Sequence, residues 1–338
     1  SEMVASEELV NARPDMLRRA LGAEKLSPFV IQLAGREPHW MAEGTRVAQD
    51  MGAEIIDINM GCPAREVTGG LSGSALMRNL DHAETLIEAT VQAASVPVTL
   101  KMRLGWDDAN LTAPDLARAL EDVGVAAIFV HGRTREQGFG GTVNLGGIRK
   151  VVEAVKTIPV IGNGDVVTPQ AAKMMMEETG CAGVSIGRGA FYDPWIFNRT
   201  LEYLKTSSSV ARPNPVPPPE PSFAERVRVM CRHLDLMIDV FGEELGCRMF
   251  RKVAPWYAKR FGPANVFNKR VVLASTRLEF RAILEDYVRW RQQFVDDLGE
   301  LLPRFQQSPM VASFMQTDAP AAAQRQNIPV PKGPVEMW

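Results

Sequence analysis

Six short apolar runs punctuate the chain between Ser27 and Tyr192: FVIQLAG (29–35), EIIDINMG (54–61), VPVTLKMR (96–103), AAIFVHGR (126–133), IPVIGNGD (158–165) and AGVSIGRG (182–189). Most are nearly continuous in Val, Ile and Leu, the pattern of strands buried on both faces. The stretches between them are long enough for helical crossovers, so the runs read as parallel strands. Each run ends in polar residues or glycine, where an α/β fold places its site. The opening SEMV (1–4) reads as the tail of a seventh strand. A closed barrel needs eight, so the pattern predicts a (β/α)8 TIM barrel that is N-terminally incomplete in this chain. A doubly wound sheet is the alternative, although no G-x-G-x-x-G follows the first run.

Beyond the last run the pattern changes. Residues 212–221, RPNPVPPPEP, contain six prolines and exclude helix or central strand. They read as a semi-rigid polyproline linker. Ser222 followed by Glu225 is a capping-box signature for an amphipathic helix ending near Gly242, and Thr276 with Glu279 opens another running to about Leu302. From Gln306 the apolar content is too sparse for a core. The expected organisation is a catalytic barrel over 1–205, a Pro-rich linker over 206–221, a small all-α helical bundle over 222–305 and a disordered tail over 306–338.

Composition adds exclusions. With 46% apolar and 23% charged residues and a net charge of −2, the chain is ordinary for a soluble protein. No apolar run approaches the ~20 residues of a membrane span, and the N-terminus lacks a secretion-signal layout. The four cysteines, Cys62, Cys181, Cys231 and Cys247, form no C-x-x-C pair. This argues against a zinc site or a disulfide framework and suits a reducing, cytoplasmic location. No metal is expected.

The strand ends carry the candidate chemistry. GNGD and GRG close the last two runs, and glycines there let backbone N–H groups approach an anion, as at the phosphate sites of barrels. Asn163, Gly164, Gly187 and Arg188 are the candidates. Lys101 and Arg103 stand two apart, as do His131 and Arg133, so each pair can share one side of a strand end. Lys101 suits a phosphorylated cofactor or the electron-rich edge of a flavin, or else a buried ion pair. His131 is read as a hydrogen-bonded structural residue or a site group. Asp57 and Asn59 share a face, and Gln32 has the equivalent position one strand earlier. In IDINMGCPA, Cys62 is either a small hydrophobe at a tight turn or a reagent at the site. Polar residues recurring at one end of five or six strands favour an enzyme. Residues 248–270 hold seven basic residues and no acidic one, interleaved with Trp256, Tyr257 and Phe. They form either a nucleic-acid surface or a solvated basic face whose aromatics pack inward.

The pieces SEMVAS, IQLAG, IDINMGCPA, GSALM, VTLKMRLGW, HGRTR, GNGD, SIGRGA and RMFRKVAPWY, in this order, resemble the tRNA-dihydrouridine synthases, most closely the bacterial B-type subgroup. The resemblance runs from Ser1 to about Leu302. It implies an FMN-binding barrel, with a further strand ahead of Ser1, and a helical tRNA-binding domain. It also implies NADPH as reductant and reduction of a uridine C5–C6 double bond in the tRNA D-loop. Cys62 is then the general acid. Asn59 is a cofactor-site neighbour of flavin and uracil, Gln32, Lys101 and His131 contact the isoalloxazine or ribityl chain, and Asn163, Gly164, Asp165, Gly187 and Arg188 surround the FMN phosphate region. The expected RNA contacts are Arg103, Arg133 and Arg135 on the barrel, and Arg248, Arg251, Lys252, Lys259 and Arg260 on the helical domain. A monomer is expected. Two rival readings are a small-molecule flavoenzyme of the dihydroorotate dehydrogenase kind and a non-catalytic RNA-binding protein.

Overall fold

The computed structural model describes residues 1–21, 26–207, 216–308 and 310–316. Seven parallel strands form one sheet in sequential order. They are β1 (Met3–Ala5), β2 (Val30–Ala34), β3 (Ile55–Met60), β4 (Val98–Arg103), β5 (Ala127–His131), β6 (Val160–Asn163) and β7 (Gly183–Ser185). Sequential parallel order with helical crossovers is the order of a (β/α)8 barrel, and the described residues supply seven strands of it, with β1 and β7 outermost in the order.

The strand sequences are less uniform than their composition implied. Ile31, Leu33, Ile56, Ile58, Met60, Leu100, Met102, Ile128 and Val130 are at most 1% exposed. They pack against apolar residues of the crossover helices, among them Met41, Leu86, Ile87, Leu116, Leu120 and Ile148. The alternate positions face away from those helices. They carry Gln32, Asp57, Asn59, Thr99, Lys101, Arg103, His131 and Asn163, which the parallel register brings side by side: Gln32 beside Asp57, Asp57 beside Thr99, Asn59 beside Lys101, Arg103 beside His131 and His131 beside Asn163. Gly162 lies on the helix side, where an added Cβ would sit 2.8 Å from Met175 Sδ and 3.0 Å from Cys181 Sγ. Its hydrogen side chain is what lets the helix Pro169–Thr179 approach β6.

The chain divides into two compact units. The first holds Ser1–Val166, Ala171–Ile186 and the segment from Ala312, and the second holds Val167–Gln170 and Gly187–Val311. The long segment of the second unit thus opens at Gly187. The tail also differs from expectation over residues 312–316. Ala312 and Phe314 are 0% and 7% exposed in the first unit's core, and Ser313 Oγ accepts a 3.1 Å hydrogen bond from the Val143 N–H. A cluster this short does not stand out in a polar tail until its partners are known. Residues 317–338, and 208–215 of the Pro-rich segment, lie outside the described residues.

In the second unit, Ser222 caps the helix Phe223–Phe241 by accepting from the Glu225 N–H, and Gly242 at φ +79° ends it. The full capping box of Thr276 and Glu279 opens the helix Arg277–Arg291. That helix stops at Arg291 instead of continuing to Leu302, because Gly299 at φ +80° reverses the chain and pairs Val295 with Leu301. Phe250, Phe261, Phe267, Phe280 and Tyr287 fill this unit's core.

Candidate active site

The site is built on the polar face of β2, β3 and β4. Asp57, 7% exposed, accepts from Thr99 Oγ1 at 2.6 Å and from Gln32 Nε2 at 2.6 Å. Gln32 Oε1 in turn accepts from Asn59 Nδ2 at 2.7 Å. Asn59 Oδ1 accepts the N–H groups of Gly61 and Cys62 at 3.2 and 3.0 Å. This last pair is an Asx-type turn, so the Asn three residues before the Cys bends the chain off the end of β3. The Cys62 carbonyl is fixed from the other side by Ser74 N–H at 3.1 Å and Oγ at 2.8 Å.

Cys62 is a half-buried free thiol. Burial pushes its pKa up, against weaker opposing effects from the Ala64 N–H and the cations Arg103 and Lys101. The sulfur therefore holds its proton at neutral pH, the condition for an acid and the opposite of a nucleophile. Lys101 makes no hydrogen bond or ion pair among the described residues. Its pKa is lowered to about 8, first by burial and then by Arg103, with Asp57 and Cys62 acting in the opposite sense. A half-buried ammonium that makes no direct ion pair, with Asp57 acting on it only from beyond salt-bridge distance, suits an anionic or electron-rich partner.

Arg103 and Arg133 direct their donors at the protein itself. Arg103, 2% exposed, donates to Gly61 O at 2.7 Å, Thr134 O at 2.9 Å and Gly138 O at 2.8 Å. Arg133 pairs with Asp165 at 2.6 and 3.0 Å, with side chains 1% and 3% exposed. It also donates to Gly140 O and Gly141 O at 2.8 and 2.7 Å. Both side chains clamp the loops above β4 and β5, so a contact with RNA would compete with these bonds. The Asp165 carboxylate is likewise engaged with Arg133, leaving its backbone as the part that can meet a phosphate. His131, 7% exposed, lies 3.4 Å from Arg133 Nη1 through Nε2. Asn163 Nδ2 donates to Ser185 O at 2.7 Å, tying β6 to β7. Gly164 has φ +127°, a conformation open to glycine.

The family model of dihydrouridine synthase matches residues 1–290. A "Probable tRNA-dihydrouridine synthase" of Rhizobium leguminosarum bv. phaseoli is 44% identical over 277 residues, 82% of each chain. A protein of the same description from Rhodobacter capsulatus is 45% identical over 262 residues, 77% of this chain and 78% of that one. "tRNA-dihydrouridine synthase B" of Xanthomonas campestris pv. campestris is 39% identical over 287 residues, 85% and 84%. The chain belongs to the dihydrouridine synthase family. That family consists of flavin-dependent oxidoreductases acting on uridine, and the donor set fits such a group. The Lys101 ammonium and the amides of Gln32 and Asn59 lie on one face, with the backbone turn at Gly164 two strands beyond β4.

The remaining cations of this dihydrouridine synthase divide by environment. Arg135 and Arg78 stack on the ring of Trp106 at 4.6 and 4.9 Å, and Trp106 carried no weight in the sequence reading. In the second unit, Arg251 donates to Ala274 O at 2.7 Å, Leu273 O at 3.0 Å and Ser275 Oγ at 2.7 Å. It therefore braces the turn before Thr276 rather than facing a ligand. Arg248 is exposed beside Glu244 at 3.7 Å. Lys259 Nζ lies over Trp256 at 4.4 Å and Tyr192 at 5.3 Å. Lys252 is exposed and Arg260 half-buried. Gly187, exposed, follows β7 by two residues, and Arg188 opens the helix Arg188–Tyr192; both are grouped with this unit.

The sequence reading passed over Asp57 and Thr99 as site residues. The period-two spacing of Asp57 and Asn59 carried the signal. Thr99, beside Lys101 at the same spacing, became informative only through the register.

Proposed function

We propose that this chain is a tRNA-dihydrouridine synthase that reduces the C5–C6 double bond of a uridine in the tRNA D-loop, with Cys62 as the proton donor. The reading assigns FMN as cofactor, NADPH as reductant and the cytoplasm as location. The observation that carries it is the protonated, half-buried Cys62 thiol pinned by Asn59 at the end of β3, beside a Lys101 that makes no direct ion pair. When bound, FMN supplies the hydride that reaches C6 of the uracil. Negative charge then develops on C5 and O4, and the Cys62 thiol delivers its proton to C5. Lys101, with Gln32, Asn59 and His131, holds the isoalloxazine and ribityl groups, and the Lys101 cation stabilises negative charge there. The backbone of Asn163, Gly164 and Asp165 faces the phosphate. The uridine leaves its stack to reach the thiol, and the exposed cations Lys252 and Arg248 contact the RNA backbone.

Nucleoside mass spectrometry of dihydrouridine-free tRNA incubated with the protein, FMN and NADPH tests this. The parent is expected to form dihydrouridine. Cys62→Ala is expected to keep flavin absorbance and lose nearly all product. Undiminished turnover in Cys62→Ala would remove the thiol from its role. Oxidation of NADPH with a free pyrimidine but not with tRNA would instead favour a small-molecule reductase.

A further inference from the structure

The polar chain beneath Cys62 has a direction, and that direction has to be set somewhere. Gln32 and Asn59 are amides, each with one accepting and one donating end, and either could be turned over with little change of shape. Their observed orientation runs one way: the Gln32 amine toward Asp57, the Gln32 oxygen toward the Asn59 amine, and the Asn59 oxygen toward the N–H groups of Gly61 and Cys62. One member cannot be turned over. The carboxylate of Asp57 only accepts, and its other oxygen already receives the Thr99 hydroxyl at 2.6 Å.

We propose that Asp57 is a positioning residue of the catalytic turn: by accepting at the end of the chain it fixes the orientation of Gln32 and then Asn59, and so keeps an oxygen under the Cys62 N–H. Asp57 touches neither Cys62 nor a reacting atom. Its effect is transmitted through two side chains, across β2 and back to β3. If the terminal acceptor becomes an amide that keeps its oxygen on Thr99, an –NH2 faces Gln32. Gln32 then turns over, Asn59 follows, and the Asn59 amine meets the donors of Gly61 and Cys62. The turn loses the one acceptor that takes both N–H groups, and with it two hydrogen bonds, and gains a donor–donor conflict.

The same argument gives a compensating change. In Asp57→Asn combined with Gln32→Glu, the new carboxylate at 32 accepts from both neighbouring amides, so Asn59 regains its original orientation and the site keeps its charge. The test is hydrogen–deuterium exchange on the full chain, read by mass spectrometry in peptides spanning 59–64, with the fold checked by circular dichroism. Asp57→Asn is expected to speed exchange at Gly61 and Cys62 by about tenfold or more, the scale of one lost hydrogen bond at a buried turn. Peptides over Val98–Met102 should keep the parent rate, and the double variant should return Gly61 and Cys62 to it. Parent-like protection in Asp57→Asn overturns the proposal. So does an acceleration that the double variant fails to reverse, since a merely structural Asp57 gains nothing from a carboxylate at 32. If Asp57→Asn does not fold, the double variant decides alone: parent-like protection supports the proposal and lost protection overturns it. The catalytic consequence, a lower kcat at unchanged KM for tRNA, rests on the reading of Cys62 above. The exchange result does not, so the two can fail separately.

Discussion

The ion pair between Arg133 and Asp165 offers the sharpest energetic test, because it decides whether an arginine at a strand end serves the ligand or the scaffold. Both side chains are nearly excluded from water, at 1% and 3% exposure, and the contact is bidentate. Asp165→Asn keeps the volume and tolerates φ +52°, but leaves the guanidinium buried without its counter-charge. Removing one partner of such a pair costs about 3–5 kcal/mol, and Gly140 O and Gly141 O, which still accept, place the loss toward the lower end. For a protein of this size that lowers the thermal midpoint by roughly 6–20 °C. Asp165→Ala should lose about 1 kcal/mol more, since alanine resists the left-handed backbone. Arg133→Met isolates the opposite charge and should cost a similar amount. The double variant Arg133→Met with Asp165→Asn should lose less than the sum by at least about 2 kcal/mol. Calorimetry and urea unfolding of the flavin-free protein measure all four. A loss below about 1 kcal/mol in Asp165→Asn, or strict additivity, would refute the clamp and return Arg133 to the list of ligand contacts.

Two further outcomes follow from charge. Lys101 titrates near pH 8 when folded, against 10.5 as its ordinary value. The unfolded chain therefore binds more protons between those limits, and the lysine's contribution makes stability rise with pH across that window. In the same window the ammonium is lost, so activity should fall above about pH 8, and Lys101→Arg should move that falling limb upward; an unmoved limb would show that another group sets it. Among the helical-unit cations, Lys252→Ala is expected to weaken tRNA binding and reduce the salt slope by about 1 without changing stability. Arg251→Ala should instead lower the unfolding midpoint, because its donors hold three acceptors around the turn at 273–275. Equal effects of both on binding alone would contradict this division.

The strands were legible because six apolar runs with glycine or polar ends admit few other readings, and the short SEMV run is indeed a strand, pairing with β2. Cys62 and Asn59 were legible as neighbours through their three-residue spacing, which matches the observed turn. The internal partners of Arg103 and Arg133 were not legible, because a cation at the end of a buried strand looks the same in sequence whether its donors meet a substrate or loop carbonyls. Those carbonyls, at Gly61, Thr134, Gly138, Gly140 and Gly141, belong to loops whose course no periodicity reveals. The pairing of the Asp165 carboxylate was hidden for the same reason, since its partner is 32 residues away. Residues 312–316 went unrecognised because their apolar character is local while their partners are in the barrel core.

What separates scaffold from site on the polar face is unused bonding capacity. Buried polar groups are held to full pairing by the cost of leaving them bare. Arg103 and Arg133 meet that demand internally, through loop carbonyls and Asp165, and cannot reach a ligand without breaking what they hold. Asp57, Gln32 and Asn59 are also paired, but in a chain that ends on the backbone of Cys62, so their pairing fixes a position. Two groups stay unfinished: the Lys101 ammonium makes no hydrogen bond or direct ion pair among the described residues, and the Cys62 thiol accepts from the Ala64 N–H while its own proton has no acceptor among them. One offers positive charge and the other a proton, on neighbouring strands. A reaction that places negative charge on a ring and then needs a proton at carbon uses both, which is why the same two residues that leave the protein's own bonding incomplete are the ones its proposed chemistry requires.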